Sequence, residues 1–306
     1  MNQIRSCGCK GCRTCLLCEK EYNLNKKGFF EQFQDLNPYS FCPKCNKLYP
    51  GWNCFKILED HPNHSNDGID FPGMLVQLNF LSVNEGEELT KSLDELPWCD
   101  SQSGRRKQNF GPKTNFKKRK LQNGNFNGFP ISTKFCQDRF KEIELLKEFQ
   151  TIEQCTLEYN PDKGASIDPH IDDCWVWGER VVTVNCLGDS VLTLTKYNGD
   201  NSKYNLRLVE NYQDQLICNL DKAEKLDLYE NMVIRIPMPN LSLIVMYGPP
   251  RYQFEHCVLR EDINERRVCI AYREFTPMYL ENGIDSDKGI TIINNANEFW
   301  NQIDTT

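Results

Sequence analysis

His170-Ile171-Asp172 places an imidazole and a carboxylate two residues apart in a stretch rich in β-branched residues. On an extended strand, residues i and i+2 point to the same side, so these two groups can share one metal ion. A lone His-x-Asp pair is weak evidence, because a surface loop supplies one readily. Scarcity adds weight: the chain has 4 histidines, and His256 alone follows His170. Two histidines and one carboxylate are the facial triad of non-haem Fe(II) oxygenases, which leaves coordination positions open for other ligands. A third feature is Arg267-Val268-Cys269-Ile270-Ala271-Tyr272-Arg273, an apolar run flanked by arginines. A strand puts both guanidinium groups on one face, about 20 Å apart at full extension. Each can reach inward, leaving room for a small dicarboxylate between them. A buried cation is costly without an anion, and arginine pairs carboxylates in a bidentate fork.

These groups need a rigid frame. From Cys155 onward, short β-branched and aromatic runs recur at 155–159, 181–187, 191–195, 206–209, 232–237, 241–247 and 268–275, separated by Asn, Asp, Gly and Pro. That spacing predicts a mainly β core of sandwich or jelly-roll type. Two helices flank it. Ser82 and Glu85 have capping-box spacing ahead of Leu89, Leu93 and Leu96, and Pro97 stops the run. Phe140, Ile143, Leu146 and Phe149 predict a second helix over 137–149. The reading divides the chain into a cysteine-rich module (1–56), a loop at 60–73, helices with a basic substrate-side lid (70–150), the β core (151–280) and a C-terminal tail (281–306).

Eight of the 16 cysteines lie in the first 54 residues. The N-terminus shows no apolar secretory segment, so reduced thiols and metal sites are expected before disulfides. Cys9/Cys12, Cys12/Cys15, Cys15/Cys18 and Cys42/Cys45 are all Cys-x-x-Cys pairs. One arrangement joins Cys15 and Cys18 to Cys42 and Cys45 around one structural zinc, with Cys42-Pro43-Lys44-Cys45 as a knuckle. Another uses Cys7, Cys9, Cys15 and Cys18 locally, and Cys12 is a spare in either register. Free thiols and an iron–sulfur cluster are the remaining readings. The other eight cysteines are scattered singly and suit a core.

The 39% hydrophobic and 11% aromatic content supports a packed core and argues against wholesale disorder. No run approaches the ~18 apolar residues of a membrane span. The formal charge is −7, yet residues 104–120 carry eight basic residues and no acidic one, leaving −15 on the remainder. Phe110 and Phe116 interleave with those charges, which suits phosphate contact and base stacking, or an acidic protein surface. Lys117–Lys120 also has the form of a nuclear localisation signal.

The ordered set of His-x-Asp, His and Arg-x5-Arg resembles the AlkB-type Fe(II)/2-oxoglutarate dioxygenases, whose core is a double-stranded β-helix. Residues 102–113 (QSGRRKQNFGPK) look like the substrate-side lid of that family. Residues 172–180 (DDCWVWGER) and 7–18 (CGCKGCRTCLLC) resemble its homologue 4 branch. The resemblance spans nearly the whole chain and matches little between 196 and 230. It implies His170, Asp172 and His256 as iron ligands. It implies Arg267 for the distal carboxylate of 2-oxoglutarate, Arg273 nearer the metal, and Tyr159 as a further co-substrate contact. Arg105, Arg106, Lys107, Phe110, Asp173 and Trp175 fall on its substrate side. Leu157 stands where many members have asparagine, and Cys174 where DNA-repair members have an acidic residue. The implied reaction is oxidative N-demethylation of DNA (N6-methyladenine) or of methyl-lysine in a protein such as actin, in nucleus and cytoplasm. The competing reading is a catalytically silent zinc-containing adaptor that binds through the basic loop.

Overall fold

A computed structural model describes residues 5–24, 28–218, 220 and 226–301. Helices α1 (Leu16–Glu21) and α2 (Phe29–Phe33) precede a hairpin of β1 (Asn37–Cys42) and β2 (Lys47–Pro50), then helix α3 (Cys54–Asp60). Strands β3 (Ile69–Asp70) and β4 (Met74–Gln77), helix α4 (Val83–Asp94), and strands β5 (Cys99–Asp100) and β6 (Arg105–Phe110) follow. A small hairpin, β7 (Lys113–Asn115) and β8 (Lys120–Gln122), leads to β9 (Phe129–Pro130) and α5 (Lys134–Phe140). The core strands are β10 (Glu153–Tyr159), β11 (Ile167–His170), β12 (Trp177–Leu187), β13 (Ser190–Lys196), β14 (Met232–Met238) and β15 (Leu243–Met246). Helix α6 (Gly248–Gln253), β16 (Phe254–Val258), β17 (Arg267–Phe275), α7 (Ser286–Asn295) and β18 (Phe299–Trp300) complete the order.

Among the described residues two seven-stranded sheets form, ordered β11-β16-β13-β14-β1-β2-β3 and β4-β15-β12-β17-β10-β6-β5. Successive core strands from β10 to β17 are shared between the two sheets so that β11-β16-β13-β14 faces β15-β12-β17-β10, the pairing of a jelly roll. Buried Leu194, Ile234 and Ile236 of the first sheet share one cluster with Leu157, Val181 and Ile244 of the second, so the sheets pack face to face. The second sheet is covered on its other face as well. Val182, Val184 and Tyr272 meet Leu89 and Leu93 of α4 and Cys136 and Phe140 of α5. That double cover explains why residues 268–272 of β17 form an unbroken apolar run instead of an alternating one.

Helix α4 starts as the capping box predicts. The Glu85 amide donates to Ser82 Oγ, and Glu85 Oε2 accepts from the Ser82 amide at 2.8 Å. The helix expected over 137–149 ends at Phe140 instead. Ile143 is extended (φ −99°, ψ 119°), and a single 3-10 turn, Glu144–Leu146, follows. Phe140, Ile143, Leu146 and Phe149 still face one cluster, so a bent segment buries the predicted stripe. The strand expected at 206–209 is a 3-10 stretch, Lys203–Asn211, entered through positive φ at Tyr204 and Asn205. Its Leu206 and Val209 pack on Ile171, Cys174 and Tyr252. Residues 60–73, read as a loop, contain β3, which pairs with β2.

Candidate active site

His170 ends β11, and His256 is its cross-strand partner on β16. The imidazole centroids stand 4.3 Å apart. Asp172 lies just beyond the strand, so the extended spacing inferred from sequence is completed by the first residues of a loop. Its Oδ1 is 3.7 Å from His170 Nε2. One ligand atom from each of the three lies within 4.8 Å of the others. His170 Nδ1 donates to the Asp168 carbonyl at 2.9 Å, which fixes the tautomer and turns the Nε2 lone pair toward the site. His256 Nδ1 is buried without a hydrogen-bond partner among the described residues.

The protonation states suit a cation. Burial lowers the pKa of both imidazoles, against the opposing pull of Asp172, so both are neutral at pH 7. Burial would raise Asp172, but Arg273 and then the two histidines outweigh it and hold the carboxyl well below its ordinary range. Arg273 reaches Asp172 with Nε at 3.0 Å and Nη2 at 3.3 Å, and Glu153 with Nη1 at 2.7 Å. Each carboxylate oxygen accepts along two directions, so Asp172 can meet Arg273 and a metal together. The donor set of two imidazoles and one carboxylate fits Fe(II) with open positions.

A narrow cavity of about 70 Å³ runs from His170 and His256 past Leu157 and Tyr159 to Arg267. Arg267 is 1% exposed. Its Nε donates to Asn185 Oδ1 at 2.8 Å, its plane lies 4.8 Å from the Tyr159 ring centre, and its Nη1 has no partner among the described residues. Burial pushes the Tyr159 hydroxyl up to about 12, so it stays protonated and able to donate. Arg267 and Arg273 thus bracket one cavity from the two ends of β17, as their spacing predicts.

The substrate-side candidates separate by strand face. On β6, Arg105 and Lys107 register with Tyr159 and Leu157 of β10 and share their face. Arg106 points to the opposite face. There it pairs with Glu158, which also binds Arg266, and Arg266 in turn pairs with Asp94. Arg106 is therefore part of a supporting ion network and does not face the cavity. Phe110 packs edge-on against Trp300. Asp173 accepts from the Trp175 amide and from Asn205 Nδ2, and burial raises its pKa. Trp175 is buried, with the exposed Phe116 edge-on against it. Cys174 is buried and touches the Asp172 carbonyl and Arg251.

Three supporting residues carry no sequence signal of their role. Arg251, fully buried, donates to the carbonyls of Asp172, Trp177 and Gly178 and so clamps the loop bearing the carboxylate. Glu153 steadies Arg273. Asn185 holds Arg267 while donating to the Gly188, Met238 and Pro239 carbonyls. Arg267, Arg273 and Asp172 lie far from them along the chain, so no local motif announces these roles.

The cysteines fall into separate groups, which corrects the set drawn from Cys15, Cys18, Cys42 and Cys45. Cys7, Cys9, Cys15 and Cys18 converge, each with its sulfur within 4.8 Å of the others, and Cys12 is exposed outside them. Cys42 and Cys45 lie elsewhere, on the β1–β2 turn beside His61 and His64. The Cys15 amide donates to Cys18 Sγ at 3.3 Å, and the amides of Ser103 and Gly104 point at Cys9 Sγ. The N-terminal quartet is thereby docked on the loop that opens β6. Gly104 sits at φ +76°, where a Cβ would fall 2.8 Å from the Lys163 carbonyl oxygen. Arg260 fixes α1 to the core through both oxygens of Glu19.

No model of a protein family matches the chain. It is 33% identical over 296 residues to a human protein named alpha-ketoglutarate-dependent dioxygenase alkB homolog 4, spanning 97% of this chain and 95% of that one. It is 30% identical over 293 residues to a Caenorhabditis elegans protein named DNA N6-methyl adenine demethylase, spanning 91% and 90%. Among solved structures, OsALKBH1 aligns with a TM-score of 0.41 at 12% identity, over 67% of this chain and 99% of that one. Identity sustained along almost the full length of the curated relatives places this chain in the AlkB family of α-ketoglutarate (2-oxoglutarate)-dependent dioxygenases.

Proposed function

We propose that this chain is an Fe(II)/2-oxoglutarate-dependent oxidative N-demethylase whose substrate is methylated DNA, N6-methyladenine included. The observation that carries the reading is the cavity joining His170 and His256 of the triad to a buried guanidinium with no carboxylate partner among the described residues. Burying an unpaired cation costs several kcal/mol, and a slender dicarboxylate relieves that cost. Arg267 and the Tyr159 hydroxyl would bind the distal carboxylate of 2-oxoglutarate, leaving its keto-acid end toward the triad. His170, Asp172 and His256 would hold the iron from one side. Arg273 keeps Asp172 ionised and, with Glu153, fixes its orientation. Apolar walls such as Leu157, Ile244 and Met246 keep bulk water from the channel. Bound iron and 2-oxoglutarate supply the oxidation, in which O2 and 2-oxoglutarate are consumed, succinate and CO2 are released, and the hydroxylated N-methyl carbon leaves as formaldehyde.

The name of the C. elegans relative and the basic segment 104–120 favour DNA over protein. Exposed Lys117, Lys118, Arg119 and Lys120 suit phosphates, and Arg105 and Lys107 share the cavity-side face of β6. Phe116 against Trp175 offers an aromatic surface for an extruded base. The quartet of Cys7, Cys9, Cys15 and Cys18 would hold a structural zinc that fixes the loop at Ser103 and Gly104. A formaldehyde-release assay comparing N6-methyladenine DNA with methyl-lysine actin peptides tests the reading. We expect release from DNA and none from the His170→Ala or Asp172→Ala variants. Release from the peptides alone would move the activity to methyl-lysine.

A further inference from the structure

Two thiols and two imidazoles converge outside the active site. Cys42 ends β1, Cys45 closes the turn to β2, His61 caps the C-terminus of α3 and His64 lies in the loop toward β3. Cys42 Sγ is 3.7 Å from His61 Nδ1, and Cys45 Sγ is 3.5 Å from His64 Nε2. All four donor atoms lie within 4.8 Å of one another. A tetrahedral zinc with Zn–S of about 2.3 Å and Zn–N of about 2.0 Å sets sulfur and nitrogen about 3.5 Å apart, so the observed pairs already have the edges of that tetrahedron. Two independent thiol–imidazole hydrogen bonds would have no reason to share one centre.

The surroundings serve sulfur ligands. The backbone amides of Lys44 and Cys45 point at Cys42 Sγ. Asn46, at φ +57°, returns its amide to the Cys42 carbonyl at 2.9 Å, and this closes the Cys-Pro-Lys-Cys turn into a knuckle. The Tyr49 hydroxyl meets Cys45 Sγ at 3.4 Å, and its ring stacks on His64 with centroids 3.8 Å apart. His64 Nδ1 is buried without a partner, which leaves the Cys45 contact as the polar tie of that ring among the described residues.

We infer that Cys42, Cys45, His61 and His64 form a second, structural zinc site, separate from the N-terminal cysteine quartet. All four positions are filled by protein, so the ion has no vacancy for chemistry. It ties the β1–β2 turn to the end of α3 and the loop that follows. That clamp stands on the β1-β2-β3 flank of the sheet whose opposite flank, β11 and β16, carries His170 and His256.

The test is zinc content of the full chain, carrying His170→Ala and Asp172→Ala so that zinc cannot occupy the triad. His61→Ala and His64→Ala should each remove one equivalent, the same one, and Cys9→Ser should not affect it. Zinc content unchanged in the His61→Ala/His64→Ala double variant would overturn the assignment. If those variants fail to fold, X-ray absorption at the zinc edge of the chain with all four residues intact decides the matter. Nitrogen and sulfur in the first shell support the site; an all-sulfur shell, or no bound zinc, rejects it.

Discussion

At the scale of single residues, Arg267 separates binding from stability. It is buried and lines the cavity, its Nη1 has no partner among the described residues, and its Nε is held by Asn185. Arg267→Met removes a desolvated cation but leaves Asn185 Oδ1 without its donor, so the two effects on stability oppose each other. We expect an unfolding midpoint close to that of the parent chain and a KM for 2-oxoglutarate raised at least roughly 30-fold, since losing one partner of a buried charge pair costs about 2–5 kcal/mol. Steady-state kinetics and thermal melts check both halves. Arg251→Met should act differently. It orphans three carbonyls around Asp172 and should lower stability by about 3 kcal/mol or more, read by denaturant melts. The triad and both ends of β17 were legible because their chemistry is written in type and spacing. Arg251, Glu153 and Asn185 were not, because a partner brought in by tertiary folding leaves no local pattern. Arg106 was misplaced for the same reason. Its number in the motif says nothing of strand face until Glu158 is seen beneath it.

At the scale of elements, Glu85 does two jobs. It closes the capping box of α4 and pairs with Arg139 of α5 at 2.6 Å. The Arg139 guanidinium, then the Ser82 amide, lower its pKa to about 2. A carboxyl depressed in the folded state stabilises fully above its unfolded pKa and loses that contribution as pH falls toward the folded value. Glu85→Gln should therefore cost about 1 kcal/mol near neutral pH, and the difference from the parent should shrink between roughly pH 4.5 and pH 2. Denaturant melts across that range measure it. Helix α4 was legible because its cap is local. The segment 137–149 was not, because an apolar stripe at helical spacing is also satisfied by a bent chain with one 3-10 turn. Strands β11 and β16, which carry both histidines, have no clear β-rich run in the sequence. Ile167-Asp168-Pro169-His170 holds a proline, which argues against a central strand, and β11 is in fact an edge.

At the scale of the whole molecule, an acidic chain presents a basic strip beside its cavity. The −7 overall conceals the +8 of residues 104–120, where Lys117 and Lys118 are exposed. Lys117→Glu with Lys118→Glu should weaken DNA binding with little dependence on sequence and flatten the plot of log affinity against log salt by nearly one per lost phosphate contact. Unchanged binding across a salt titration would remove DNA from that surface. The jelly roll itself was legible, since most core strands appear as separate β-rich runs. The cysteine groups of the N-terminal segment were only half legible, because Cys-x-x-Cys pairs state their own spacing and not which pair meets which. His61 and His64 lie in a stretch whose composition predicts a loop, with no spacing that ties them to the cysteines. Iron and 2-oxoglutarate meeting at the triad is the central proposal. The direct measurement is anaerobic Fe(II) titration of the full chain followed by admission of O2 with 2-oxoglutarate, with succinate counted. The expected result is one Fe(II) per chain and succinate formation that His170→Ala and Asp172→Ala abolish. Succinate production unchanged in those variants would contradict it.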